Sequence, residues 1–251
     1  MDPERIAHMA NLQRKMLVSH AYRELWATEA YRPVLEMAPL PEDRAHVQQV
    51  LVEEMQHYER CLRVDWEYAH ARDYYISGHV RMDIVPGVVE RMVKGPDGIP
   101  PPGSWIEFLL AQALNDYAGL LVLRNVARTA RSPPYCPLWA YAGAAEGMVA
   151  DEEGHGEHGR SLLLREWRWN PPPDKEKEFI LLRQVDGAIR CIGRPGTDGD
   201  RAAVEYGLKA RGAGEVLNEF TEYADWLLGR LYEPAAPPLR VKERARELAQ
   251  A

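Results

Sequence analysis

Hydrophobic residues recur every three or four positions along most of this chain, which is the spacing of a buried α-helix face. The first such stretch covers residues 4 to about 37, and its apolar positions are Ile6, Met9, Leu12, Met16, Leu17, Ala21 and Leu25. Pro33 is expected to kink this helix or end its first segment. Alternating runs typical of strands are scarce, apart from a short candidate near residues 80–89. The pattern therefore predicts an all-α protein.

Proline and glycine clusters divide the rest of the chain into further predicted helices. These helices cover about residues 41–75, 104–130, 140–169, 174–192, 198–211 and 213–232. Pro41 with the acids after it, and Ser104 with Glu107 three residues later, are helix-start signals. The segment between the second and third helices, residues 76–104, is predicted to be a loop. The charged tail from residue 235 onward is expected to fray.

Four long helices joined by one long link are typical of a ferritin-like bundle, which contains one crossover connection. The sequence therefore predicts a single ferritin-like domain over residues 1–251. Its core bundle covers about residues 4–170, and a C-terminal helical appendage covers about residues 174–232.

Composition and charge exclude several classes of function. The net charge is −7 with both signs mixed along the chain, unlike the basic stripe of a nucleic-acid-binding protein. Its three cysteines, Cys61, Cys136 and Cys191, form no recognisable metal or disulfide spacing. The longest apolar run is interrupted by Asp116, and no signal-peptide pattern opens the chain. We expect a cytoplasmic protein that binds neither membrane nor nucleic acid.

Two short motifs indicate metal chemistry. Glu54 and His57 lie three residues apart in the second predicted helix, and Glu152 and His155 lie three apart in the fourth. Residues at i and i+3 share one helix face, so each pair can bind one metal ion. Two such helices facing each other can hold two ions, as in the di-iron carboxylate bundles.

The motif alone is weak evidence, because about one match is expected by chance in a chain of this composition. A third match, Glu67 with His70, lies near the end of the second helix among charged residues. We interpret it as a solvated helix face.

A dinuclear site of this type also needs one carboxylate from each of the first and third helices. The first helix offers Glu24 and Glu29, and Glu24 is preferred because aromatic and apolar residues flank it. The third helix offers Asp116 in the middle of an apolar run, where a buried carboxylate is costly unless a charge compensates it. The alternatives are an ion pair between Glu24 and a helix arginine, and a hydrogen-bonded structural role for Asp116.

The complete predicted set of metal ligands, which are also the predicted catalytic residues, is Glu24, Glu54, His57, Asp116, Glu152 and His155. Four carboxylates and two imidazoles suit iron or manganese better than structural zinc. Metal-bound histidines usually donate their second N–H to a carboxylate. Glu53 and Asp151 are candidates for that outer role, with plain surface charge as the alternative. His158 is expected to contact the site without binding metal.

At these residues the chain resembles the phenylacetic acid catabolic protein family, which includes the catalytic subunit of phenylacetyl-CoA epoxidase, a bacterial multicomponent oxygenase. The resemblance extends over about residues 10–232, and the segments that carry it are residues 19–24, 53–57, 116–119, 152–159, 192–196 and 207–211. It implies a ferritin-like fold with a di-iron centre on the six ligands named above. The family also contains a structural subunit without the metal site, and the presence of all six ligand types favours the metal-binding branch.

The chain departs from this family in two places. The linker near residues 132–136 is longer, and Val50 stands where the catalytic subunit carries a lysine associated with CoA contacts. The resemblance therefore leaves the substrate open between an aromatic compound and an acyl-CoA thioester.

The predicted function is that of an O₂-dependent di-iron oxygenase that inserts oxygen into an organic substrate, with manganese as the alternative metal. Tyr22, Trp26, Phe108 and Leu109 either line a dry substrate pocket or belong to the ordinary core. The chain has no flavin, nicotinamide or iron–sulfur pattern, so a reductase is an expected partner. A homo- or hetero-oligomer with a second ferritin-like subunit is also expected. Two other functions remain open: a ferritin-like iron-oxidising protein, and a metal-free structural subunit of an oxygenase.

Overall fold

The computed structural model describes residues 20, 21, 23–75, 101–130, 139–193 and 213–250. Helices supply the regular secondary structure of these residues, and no strand occurs among them. The predicted all-α fold class is confirmed.

We number the α-helices in chain order. They are α1 (within residues 20–31), α2 (Pro41–Tyr75), α3 (Trp105–Ala130), α4 (Trp139–Trp169), α5 (Asp174–Gly193), α6 (Ala213–Tyr232) and α7 (Val241–Gln250). A 3₁₀ segment, Arg32–Glu36, follows α1. Helix α3 consists of α-helical Trp105–Ala111, a π-helical turn Gln112–Asp116, and α-helical Tyr117–Ala130.

The predicted start and stop signals act where they were expected. Pro33 lies in the first turn of the 3₁₀ segment that ends α1, and Pro41 is the first residue of α2. Ser104 caps α3 by accepting a hydrogen bond of 3.2 Å from the backbone N–H of Glu107. Helix α4 ends at Trp169, one residue before the proline run that was expected to stop it. Local chemistry therefore sets these boundaries.

The expectation of a fraying tail is wrong. Helix α7 packs against α5 and α6, with Val241 fully buried. The backbone N–H of Val241 donates to Asp225 at 2.7 Å, and Arg244 makes a bidentate contact with Asp186 at 2.7 and 2.6 Å. The charges that indicated a solvated tail are the groups that fix it to α5.

Several predictions lie outside the described residues. These are the helix at 198–211, the strand candidate at 80–89, the loop at 76–100, the linker near 132–136 and the beginning of the first helix.

Cross-helix contacts give the direction of each helix in the bundle. Asp43 near the start of α2 bonds to Arg165 near the end of α4, whereas His57 further along α2 bonds to the earlier Asp151. Helices α2 and α4 are therefore antiparallel. Helix α3 is also antiparallel to α4, because its early residue Gln112 adjoins Gly159 and its later residue Arg124 bonds to the earlier Glu153 of α4.

Since α2 and α3 are both antiparallel to α4, they are parallel to each other. Consecutive parallel helices occur in ferritin-like bundles, which contain one crossover connection. The predicted crossover therefore agrees with the helix directions.

A single apolar core joins the four bundle helices to the C-terminal helices. Its largest fully buried side chains are Phe108, Phe220, Leu109, Leu110, Leu114, Leu120, Met148, Leu163 and Leu181. They come from α3, α4, α5 and α6, so the C-terminal helices share the core of the bundle. This core holds the ligand-bearing helices in a fixed register.

One segment, Trp105–Asn125, is long and apolar enough to cross a membrane, judged by length and composition. Two thirds of it (67%) is buried inside the protein. A core helix of a bundle has the same composition, so packing accounts for its apolar character.

Candidate metal centre

The structure brings all six predicted ligands together in two groups that share one residue. One group is Glu24, Glu54, His57 and Glu152, and the other is Asp116, Glu152 and His155. Within each group the donor atoms lie within 4.8 Å of one another. Helices α1 and α3 each supply one acid, whereas α2 and α4 each supply a Glu and a His. The cluster is therefore built by four helices that converge in the centre of the bundle.

The distances from the two imidazoles to the carboxylates are those of donors around a shared ion and are longer than ordinary N–H···O hydrogen bonds. Nδ1 of His57 lies 3.5 Å from Glu152 Oε1, 3.7 Å from Glu24 Oε2 and 4.0 Å from Glu54 Oε2. Nδ1 of His155 lies 3.8 Å from Glu54 Oε1. Two donors that share an ion through bonds of about 2.1 Å lie roughly 3–4 Å apart. The two oxygens of Glu54 thus face the two imidazoles.

Three buried atoms in this cluster have no hydrogen-bond partner: His57 Nδ1, His155 Nδ1 and Asp116 Oδ2. Such groups cost about 1–3 kcal/mol each if they remain unsatisfied. They all belong to the predicted ligand set, and their chemistry, imidazole nitrogen and carboxylate oxygen, suits a divalent transition metal. The residues present therefore fit a metal ion.

The outer nitrogens of both histidines are held by acids from the opposite motif. Nε2 of His57 on α2 donates to Asp151 of α4 at 3.0 Å, and Nε2 of His155 on α4 donates to Glu53 of α2 at 2.5 Å. Each acid immediately precedes one Glu-x-x-His motif and contacts the histidine of the other. These contacts keep the proton on Nε2 and turn Nδ1 toward the cluster.

Burial and mutual repulsion shift the acidities of the cluster. Burial and the charge of Glu24 raise the pKa of Glu54 well above its usual value. Burial and repulsion by Glu152 and Glu24 raise the pKa of Asp116 in the same direction. Burial also acts to raise the pKa of Glu24, but hydrogen bonds from Glu54 and His20 outweigh it and hold that pKa well below its usual range.

The same carboxylates act on the imidazole of His57. Burial acts to lower its pKa, but contacts with Glu152 and Glu24 prevail and raise it to about 11. Without a metal, the cluster therefore binds protons that reduce its negative charge.

Asp116 on α3 is the last residue of the π-helical turn Gln112–Asp116. Such turns insert one extra residue and often occur at functional sites. Gln112 is fully buried, and its Oε1 accepts a hydrogen bond of 2.9 Å from His46. Gly159 on α4 leaves room for this turn, because a Cβ there would lie 2.7 Å from Cβ of Gln112.

The remaining predicted site residues lie away from the ligand groups. His158 is exposed, and its ring packs at a tilt of 38° against that of His46, with the ring centroids 4.2 Å apart. Glu29, the alternative to Glu24, is exposed and bonds to Arg32 at 2.6 Å. The side chains of Glu67 and His70 lie outside the described part of the chain.

Of the residues proposed to line a substrate pocket, Phe108 and Leu109 are fully buried in the core. Phe108 packs against Tyr31 at 5.0 Å and Trp105 at 5.5 Å between ring centroids. Trp26 packs partly buried against the same core, and Tyr22 is outside the described residues. For Phe108 and Leu109 the structure shows ordinary core packing.

Sequence reasoning missed two side chains that contact the ligands. Nε2 of His20 lies 2.6 Å from Oε1 of Glu24. Tyr31 is buried, and its hydroxyl opposes the rise in the pKa of Asp116 by hydrogen bonding. Both lie on the face of α1 that carries Glu24, at separations of four and seven residues, so helical spacing from Glu24 would have found them.

A cavity of about 410 Å³ lies beside the outer acids of the cluster and the imidazole of His155. Glu53, Asp151 and His155 line it, together with His46 and His158. The outer acids of the cluster thus border a space open to solvent.

No protein-family model matches this chain, and a search of curated proteins found no significant relative. Functional argument therefore depends on the geometry of the site.

Proposed function

We propose that the protein is a di-iron carboxylate oxygenase of the phenylacetyl-CoA epoxidase type. The observation that carries the proposal is the pair of donor groups that meet at Glu152, with Glu54 facing both imidazoles. One ion would be held by Glu24 and His57, and the other by Asp116 and His155. Glu152, which belongs to both donor groups, and Glu54, which faces both imidazoles, would complete the binding of the two ions.

Such a pair of iron ions, when bound, would supply the transfer of one oxygen atom of O₂ to an organic substrate, while two electrons from the reductase and two protons convert the other oxygen atom to water. The residues of this chain would hold the ions and orient the two histidines toward them. Asp151 and Glu53 keep a proton on Nε2 of each imidazole, so that Nδ1 is the binding atom. The surrounding helices exclude water from the ligands, since Glu54 is 3% exposed and His57 is fully buried.

The first experiment is iron analysis of the protein from its native source, combined with substitutions. We expect about two iron ions per chain, and a loss of iron in His155→Ala and Glu54→Ala. The matched control is His158→Ala, because His158 lies one helical turn from His155 and belongs to neither donor group. Unchanged iron content in the two ligand variants would refute the six-ligand site.

The second experiment separates the oxygenase from its alternatives. The reduced protein, with a one-electron reductase, is assayed for O₂ consumption against a panel of aromatic acids and their CoA thioesters. Substrate-dependent consumption with an oxygenated product is the expected result. Iron oxidation without any substrate dependence would indicate an iron-oxidising protein, and a native protein without metal would indicate a structural subunit.

Val50 bears on the substrate. It is fully buried in the apolar core, one helical turn before Glu54. A lysine at this position would have to bury its ammonium group. This chain therefore has no charged group here for a CoA phosphate, and we propose an aromatic substrate ahead of a CoA thioester.

A further inference from the structure

A second cavity, of about 660 Å³, lies at the end of the bundle between the last turns of α4 and α6. Its lining residues are Leu164, Arg165, Trp167, Arg168, Trp169, Pro171, Lys177, Arg230, Leu231, Tyr232 and Glu233. Small-molecule sites have volumes of about 300–1,000 Å³. From His155 to Trp169 the helix rises by about 21 Å, so this end cavity is separate from the metal cluster.

Four cations and a single carboxylate line the end cavity, in a protein whose net charge is −7. Arg165 is already committed, since it binds both oxygens of Asp43 at 2.8 Å and also contacts Glu166. Among the described residues Arg168 has no salt-bridge partner, and it is exposed. One guanidinium of the cavity is thus available to an anion.

Two further cations have only weak partners. Arg230 lies 3.8 Å from Glu233, and both side chains are more than half exposed. Lys177 bonds at 3.0 Å to Asp174, whose side chain is almost fully exposed. An ion pair exposed on both sides, such as Arg230 with Glu233, contributes about 0–1 kcal/mol. A phosphate, which guanidinium groups bind through paired hydrogen bonds, can replace those carboxylates at little cost.

The same cavity presents an unusual aromatic surface. Trp169 is 75% exposed, the largest value among the exposed large hydrophobic side chains. Trp167 and Tyr232 are fixed against each other with ring centroids 5.9 Å apart, whereas Trp169 has no such ring contact among the described residues. An exposed indole beside a guanidinium is typical of surfaces that stack a planar ring and bind its anionic group.

We propose that the end cavity binds a purine nucleoside diphosphate, with the base on Trp169 and the phosphates on Arg168 and Arg230. The flat ring of this ligand matches the exposed indole of the cavity, and its compact polyanion matches the cations. The site is independent of the proposed oxygenase chemistry, since none of its lining residues belongs to the metal cluster.

The test is calorimetric titration of the full-length protein with ADP, adenosine and pyrophosphate. We expect ADP to bind more tightly than either of its parts. Arg168→Gln and Trp169→Leu should each weaken ADP binding by about ten-fold. The matched controls, Arg246→Gln and Trp226→Leu, change exposed residues outside the cavity and should stay within about two-fold of the unmodified protein.

Three results would overturn the proposal: no heat of binding at millimolar ADP, equal affinity for pyrophosphate and ADP, or equal losses in the control variants. Metal content and thermal unfolding are measured for every variant. Because Arg168 and Trp169 are exposed, both properties should remain unchanged, which separates loss of the nucleotide site from loss of the fold or of the metal cluster.

Discussion

Nε2 of His155 on α4 donates a hydrogen bond of 2.5 Å to Oε2 of Glu53 on α2. This contact joins the fourth helix to the second outside the ligand groups, and His57 with Asp151 repeats it in the opposite direction. Glu53 and Asp151 therefore orient the two histidines from the side of each ring that faces away from the cluster, and neither acid belongs to a donor group. Substitution of such a residue tests the metal site without the removal of a ligand.

Glu53→Gln should lower the affinity for Mn²⁺ or Fe²⁺ by about 10- to 100-fold, because the neutral amide no longer supports the imidazole with a charge. Competition with a chromophoric chelator measures the change. Glu59→Gln is the control, since Glu59 is exposed on the same helix. Equal affinities in the two variants would show that Glu53 is plain surface charge.

Metal binding should release protons from the cluster. Near pH 7 the metal-free protein holds an extra proton on His57, whose pKa is raised to about 11, and burial with mutual repulsion also shifts the pKa values of Glu54 and Asp116 toward the protonated form. Up to about three protons per chain should leave as two ions bind, and affinity should fall as the pH is lowered. Titration in weak buffer with a pH indicator counts them. Proton-neutral binding would contradict the site.

Glu54→Gln should stabilise the metal-free protein while it removes metal binding. The folded-state pKa of Glu54 is raised by burial and by Glu24. Protonated Glu54 therefore contributes fully to the free energy of unfolding below the usual carboxyl pKa, and this contribution is lost as the pH rises toward the raised value. The amide cannot ionise and can still donate to Glu24. We expect a gain of about 0.5–2 kcal/mol in the free energy of unfolding at pH 8.

Urea unfolding with chelator present measures this gain, and Glu157→Gln on the exposed face of α4 is the control. A loss of stability in Glu54→Gln would mean that the negative charge of Glu54 makes contacts that stabilise the metal-free protein.

Gly159→Ala should displace the π-helical turn, because the new Cβ would lie 2.7 Å from Cβ and 3.0 Å from Oε1 of Gln112. We expect a cost of about 1–3 kcal/mol and weaker binding of the ion assigned to Asp116. Gly154→Ala, in the same helix with nothing within 4 Å of its Cβ, should instead gain about 0.5–1 kcal/mol. Thermal unfolding and metal stoichiometry distinguish the two variants.

Helix boundaries and the meeting of the ligands followed from local signals. Pro41, Ser104 and the prolines after Trp169 determine where the chain enters and leaves its helices, and i, i+3 spacing puts Glu54 with His57 on one face. The π turn at Gln112 had no such signal, because it depends on the space left by Gly159 on another helix. Helix α7 was missed for a related reason, because Arg244 pairs with Asp186 on α5, which is far away in the sequence.

Residues 76–100 separate the chain into two hairpins, α1 with α2 and α3 with α4. Each hairpin carries three of the six donors: Glu24, Glu54 and His57 on the first, and Asp116, Glu152 and His155 on the second. A protein cleaved between the hairpins would therefore retain half a binding site on each fragment, and added metal should tighten their reassociation. Metal binding would therefore also join the two halves of the bundle, and the association of the two fragments would measure assembly of the centre without any substrate.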